Sequence, residues 1–171
     1  MDSVSISLLL ILCVINVASC LSALAELSRA AETGGGCGGD GGGLAAVPAL
    51  LLGLREALMS GLQDYEGKDL SRSLRAFAIL KPDSGGGGGG GGSLLSAVQL
   101  HAVHARIAAL SDQLEPADVS QLLWAHASAP WALPASLLRT LQLRAKERAE
   151  RFTAQGVAST LWYIQSPPAV E

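Results

Sequence analysis

The chain has 171 residues, a length that fits one domain. Apolar residues make up 49% and charged residues only 16%, which excludes a disordered chain and supplies a sizeable core. Twelve Lys and Arg against fifteen Asp and Glu give a formal charge of −3, so any nucleic-acid contact must come from a local basic patch.

Aromatics are 4%, which leaves Leu and Ala to fill the core. β-Branched and aromatic residues are scarce beyond the N-terminus, and this predicts an all-α protein. Cys13, Cys20 and Cys37 are odd in number and form no C-x-x-C pair. That argues against a disulfide framework or a zinc ribbon and fits a reducing compartment.

The run Val4–Val17 is apolar apart from Ser5, Ser7 and Asn16. Two readings stand. It is a truncated repeat helix leading into the next one, or it is a secretory or targeting segment with Ala18-Ser19-Cys20 as a cleavage zone. Asp2 and the lack of Lys or Arg before the run favour the helix. A membrane span is a third reading, which the run's length and polarity disfavour.

Two glycine tracts follow, Gly34–Gly43 (interrupted by Cys37 and Asp40) and Gly85–Gly92. Neither is followed by Gly-Lys-Ser/Thr, so neither reads as a phosphate loop. Their backbone entropy predicts flexible surface insertions, over 33–43 and 84–93.

The other elements repeat. Leu114-Glu-Pro-Ala-Asp-Val-Ser-Gln-Leu-Leu-Trp124-Ala matches Phe152-Thr-Ala-Gln-Gly-Val-Ala-Ser-Thr-Leu-Trp162-Tyr, with the tryptophans 38 residues apart. Tyr65 to Ala76 is a third copy, and Leu12 to Ala23 a fourth. Arg75 precedes Trp124 by 49 residues, and setting aside the eleven residues Asp83–Ser93 restores 38. Ser22 precedes Arg75 by 53, and setting aside the fifteen residues Glu32–Ala46 restores it again. With Ser22, Arg75, Trp124 and Trp162 as reference positions, the residue one before is always Leu. The residue five before is Val17, Leu70, Val119 or Val157, and four before stand the small Ala18, Ser71, Ser120 and Ala158. This is a helix with an inward apolar side and small positions that admit a neighbouring helix. First helices are expected near 16–31, 67–80, 116–128 and 154–165, with second helices in Val47–Gln63, Leu94–Asp112 and Pro134–Glu150. The units run near 12–64, 65–113, 114–151 and 152–171, so the chain is expected to begin and end inside a unit, as a fragment does.

Few residues suggest catalysis. His101-x-x-His104 has metal-ligand spacing on a helix, but no Glu or Cys nearby completes a zinc site, so no metal or other cofactor is expected. His126 holds a packing position taken elsewhere by Leu24, Phe77 and Ile164, and reads as a core histidine. No nucleophile motif is present, so no enzyme is expected. Asp112, Glu115 and Asp118 sit at a helix junction, where capping explains them.

A binding face is the remaining candidate. Positions −7, −3 and 0 of each first helix share the side opposite the apolar one. They are Lys68, Arg72 and Arg75 in one unit, Ala117, Gln121 and Trp124 in the next, and Gln155, Ser159 and Trp162 in the last. Lys and Arg hold phosphates, while Gln121, Gln155 and Ser159 are suited to base edges. The helix after Pro134 adds Arg144, Lys146 and Arg148. Trp124 and Trp162 read as wedges between units or as stacking platforms.

The stretches Val119-Ser-Gln-Leu-Leu-Trp124-Ala125-His126-Ala127 and Phe152 to Trp162 resemble the octotricopeptide-repeat proteins. They are also similar to the helical repeats of FAST-kinase-like, RAP-domain and RNA-editing substrate-binding complex protein 6-type proteins. Ser22 and Arg75 stand where that family has Trp, and its second-helix Pro-rich motif is represented at best by Ala132-Leu-Pro134-Ala-Ser. The resemblance implies a right-handed α-solenoid of about four degenerate 38-residue helix-turn-helix repeats with two poly-Gly loop insertions. It further implies sequence-selective binding of single-stranded RNA in organellar RNA processing, stability or translation, in chloroplast or mitochondrion. Other RNA-processing proteins would be partners, with no membrane involved. The alternative is a helical-repeat protein–protein adaptor that binds no RNA. If the N-terminal run is a signal segment, the secretory pathway or a membrane replaces the organelle.

Overall fold

The computed structural model describes residues 17–25, 46–80, 94–129 and 131–165. Among them are seven α-helices and no strand. They are α1 (17–25), α2 (Ala46–Ser60), α3 (Gly67–Ile79), α4 (Ala97–Ala109), α5 (Pro116–Ser128), α6 (Ala135–Glu147) and α7 (Ala154–Gln165). The protein is all-helical over the described residues. No helix among them is long and apolar enough to cross a membrane. Both glycine tracts and the N-terminal run up to Asn16 lie outside the described residues, as do the expectations placed on them.

The first helices begin at Gly67, Pro116 and Ala154, which keeps the 49- and 38-residue spacings. The second helices are shorter than the sequence suggested. Each ends in a separate 3-10 turn: Leu62–Asp64 after α2, Ser111–Gln113 after α4 and Ala149–Arg151 after α6. An extended residue follows each turn, namely Tyr65, Leu114 and Phe152. This residue swings the chain from one helix into the next, and the side chains of Tyr65 and Leu114 are fully buried.

Local chemistry sets the helix starts. Ser96 accepts from the Gln99 amide while the Gln99 side chain accepts from the Ser96 amide, a capping box that opens α4. Glu115 and Asp118 form the same reciprocal box on α5, whose first residue is Pro116. Thr153 Oγ1 accepts from Gly156 N at the start of α7.

The helices form two layers. α5 lies between α3 and α7 in one layer, and α4 and α6 touch each other in the second. One apolar cluster runs through both, from Val17, Leu21 and Ala25 of α1 to Leu141 of α6 and Tyr163 of α7. The inward register positions Leu21, Leu74 and Leu123 are at most 2% exposed, whereas Leu161 of α7 is 51% exposed. α7 packs on α5, and no described helix covers its Val157 and Leu161.

Guanidinium groups tie the second helices to the turns before the first ones. Arg106 of α4 donates to the carbonyls of Gln63 (2.6 Å) and Tyr65 (3.1 Å). Thirty-eight residues later, Arg144 of α6 pairs with Asp112, the register equivalent of Gln63, and with Glu147. Arg148 adds an ion pair to Glu115 and a hydrogen bond to the Asp112 carbonyl.

The approach of α3 to the next unit is close. A Cβ on Gly67 would lie 2.6 Å from Leu114 Cδ2, and Leu114 is fully buried. Gly67→Ala therefore forces a repacking that outweighs its gain in helix propensity. The expected net loss is about 1 kcal/mol, a fall in Tm of about 2–4 °C by thermal melting.

Candidate nucleic-acid interface

Where α3, α5 and α7 lie side by side, their −7, −3 and 0 positions remain on the surface away from the core. Lys68, Arg72, Ala117 and Gln155 are exposed, and Arg75, Gln121, Trp124 and Ser159 are half-buried. A groove of about 480 Å³ follows this line between α5 and α7. Arg75, Gln121, Gln155 and Ser159, four of the nine candidate side chains, all line it. The volume falls within the range of about 300–1,000 Å³ usual for small-ligand sites.

The geometry within the groove is specific. The Arg75 guanidinium lies 5.5 Å from the centroid of the Trp124 ring, a cation–π contact across the α3–α5 junction. This places a cation beside an aromatic face in one wall. Gln121 Oε1 is shielded from water and has no hydrogen-bond partner among the described residues. An acceptor left in that state costs about 1–3 kcal/mol. Rotation of the side chain into the groove, where water or a ligand N–H could reach the oxygen, would relieve the cost.

The other candidates are placed differently. Lys68 forms an exposed ion pair with Glu66 at 2.8 Å, and that hydrogen bond and charge raise its pKa. Arg72 is exposed on the same helix face but does not line the groove. Arg144 and Arg148 of α6 are held by Asp112, Glu115 and Glu147, with side chains 21% and 23% exposed. They tie α6 to the turn before α5. Lys146 is exposed on α6. Trp162, the register partner of Trp124, is 51% exposed.

Ser120, Thr153 and Gly156 also line the groove, and sequence reasoning did not single them out for function. The signal was present: Asp69 and Asp118 stand six before the reference residue, and the last unit has Gly156 there.

The histidines divide in a way their spacing did not suggest. His101 is exposed, while His104 pairs across helices with His126 at 2.8 Å between Nε2 atoms. His126 Nδ1 lies 2.7 Å from the Leu122 carbonyl, so it carries a proton and donates there. Its Nε2 is then the acceptor for His104 Nε2–H. The His126 ring also meets Trp131 edge-on at 6.0 Å. Burial, then the charge His126 would carry, hold the His104 pKa down at about 3, and burial lowers that of His126. Both rings are neutral near neutral pH. No group of three or more His, Cys, Asp or Glu suited to a metal ion occurs among the described residues. Cys20 is a free, exposed thiol.

Comparison with known protein families, with curated proteins and with solved structures finds no match to this chain.

Proposed function

We propose that the protein is a non-enzymatic, right-handed α-solenoid of about four 38-residue units that binds single-stranded RNA along its first-helix face. The observation that carries this reading is the α5–α7 groove, where Arg75, Trp124, Gln121, Gln155 and Ser159 converge. Unpaired RNA offers phosphates to cations, ring faces to aromatics and base edges to amides, and this groove carries all three partner types. Lys68 and Arg72 extend its positive end along α3. An organellar transcript as ligand, and other RNA-processing proteins as partners, rest on the octotricopeptide-repeat resemblance.

Replacing Lys68, Arg72 and Arg75 together with Gln tests the reading. Binding to single-stranded RNA is expected to weaken, and its log–log salt slope to fall by about 2, at roughly 0.7 per phosphate contact. Helix content stays unchanged because Gln is an adequate helix former. Arg139 and Lys146, exposed on α6, serve as the comparison pair. Equal effects of the two sets would mean diffuse charge attraction in place of a groove.

The adaptor alternative draws on the exposed apolar side of α7, where Val157 and Leu161 border a shallow depression of about 170 Å³. It takes precedence if the parent protein shows no RNA binding at low salt.

A further inference from the structure

The α3–α5 and α5–α7 junctions are built on one register but end differently. At the α3–α5 junction, Ser71 Oγ lies 3.0 Å from Asp118 Oδ1, and the other oxygen of Asp118 accepts from Glu115 N. Both Ser71 and Asp118 are buried, so this junction is filled. At the α5–α7 junction, Ser120 is the register equivalent of Ser71, and Gly156 stands where Asp118 would be. Ser120 Oγ donates to the Ala117 carbonyl at 3.0 Å, just as Ser71 Oγ does to the Lys68 carbonyl, but Gly156 offers it no side-chain acceptor of the kind Asp118 gives Ser71. A Cβ on Gly156 would lie 3.3 Å from Phe152 Cδ1, 3.4 Å from Thr153 Oγ1 and 3.5 Å from Ser120 Oγ, so a side chain there would press on Phe152 and Thr153 at its base and bring its outer atoms to Ser120. The 480 Å³ groove occupies this place.

We infer that Gly156 opens the α5–α7 junction as a seat for one unpaired nucleobase, whereas Asp118 closes the α3–α5 junction to any base. The inference rests on the RNA reading and deepens it: the stripe on α3 holds backbone phosphates, and the α5–α7 junction alone among the two takes a base. The Trp124 indole with the Arg75 guanidinium over it supplies the stacking surface. On rotation of the Gln121 side chain, its Oε1, shielded from water in the unliganded fold, turns into the groove and accepts from a base N–H, and the Gln121 amide nitrogen donates to the adjacent ring nitrogen or carbonyl. Adenine, cytosine and uracil each present such a donor and acceptor side by side, so this pair orients the base without selecting one.

The test uses the full chain and a single-stranded RNA pool of about ten nucleotides of random sequence, beside an abasic ribose-phosphate strand of equal length. The wild type is expected to bind the base-bearing pool about tenfold more tightly than the abasic strand, as one stacked base implies. Gly156→Asn adds a side chain of the right length with no charge, and its oxygen can accept from Ser120 as Asp118 accepts from Ser71. It is expected to lose the preference for base-bearing RNA while keeping the salt slope, with helicity unchanged. Gln121→Leu, which removes an acceptor that the fold leaves unsatisfied, is expected to reduce the same preference and serves if the glycine variant fails to fold. If RNA binds with its salt slope but neither variant alters the base preference, the pocket is wrong and the RNA reading survives. If the wild type binds neither strand at low salt, both fall together.

Discussion

Acidification from about pH 7.5 to about pH 5 is expected to destabilise the protein by at least about 2 kcal/mol, before any carboxylate titrates extensively. The cause is the His104–His126 pair. In the unfolded chain both rings take up protons near pH 6.5. In the folded protein His104 resists protonation until about pH 3, and the His126 pKa is also lowered. Between those values the unfolded state binds more protons, so stability falls as pH falls, by about 1.4 kcal/mol per pH unit for each histidine still neutral in the fold. The physical block is plain. One added proton must enter a pocket closed by Trp131 and Leu122, and a second would set two N–H groups against each other 2.8 Å apart. Denaturant midpoints across this range measure the effect. His101→Gln should leave the slope intact, because His101 is exposed. His104→Leu with His126→Leu should flatten it, whatever the change in absolute stability. A wild-type slope equal to that of the double variant would show that the pair is not the titrating element.

Asp118→Ala is expected to cost about 2 kcal/mol, or about 4–8 °C in Tm. Asp118 performs two tasks from one buried position. Its carboxylate closes the capping box on the Glu115 amide and takes the Ser71 hydroxyl from the neighbouring helix. Removing it leaves the Glu115 amide without its side-chain acceptor and opens a gap between α3 and α5. Ser71→Ala should cost less, since the single Ser71 hydroxyl proton is shared between Asp118 and the Lys68 carbonyl, and Asp118 keeps its bond to the Glu115 amide. The two substitutions in one chain should fall short of additivity by about 0.5 kcal/mol or more, because each removes the same junction contact. Strict additivity in thermal melts would mean that Asp118 acts through its cap alone.

The helices and their register were legible in the sequence because both depend on short-range rules. Leu and Val recur at helical spacing, small residues recur four before the reference position, and Pro116 marks a helix start. The offsets placed α3, α5 and α7 correctly, and the candidate stripe stayed off the core for the same reason. The 3-10 turns were less legible, since Ser111 to Gln113 and Ala149 to Arg151 continue an apolar-polar pattern compatible with a longer helix.

Tertiary structure decided the partnerships. His104 carries the spacing of a ligand pair with His101, yet its helix turns it inward to a histidine 22 residues away. Arg144 and Arg148 carry the composition of a phosphate-binding set, yet the turn before α5 supplies Asp112 and Glu115 to hold them. Charge and residue type set what a side chain can bind, but only the packing of α4 and α6 against those turns sets what it meets. The groove shows both levels at once. The sequence alone determined that Gly156 replaces an aspartate of the register. Only the stacking of α5 against α7 determined that this glycine lines a groove, because the space belongs to two helices and is written in neither.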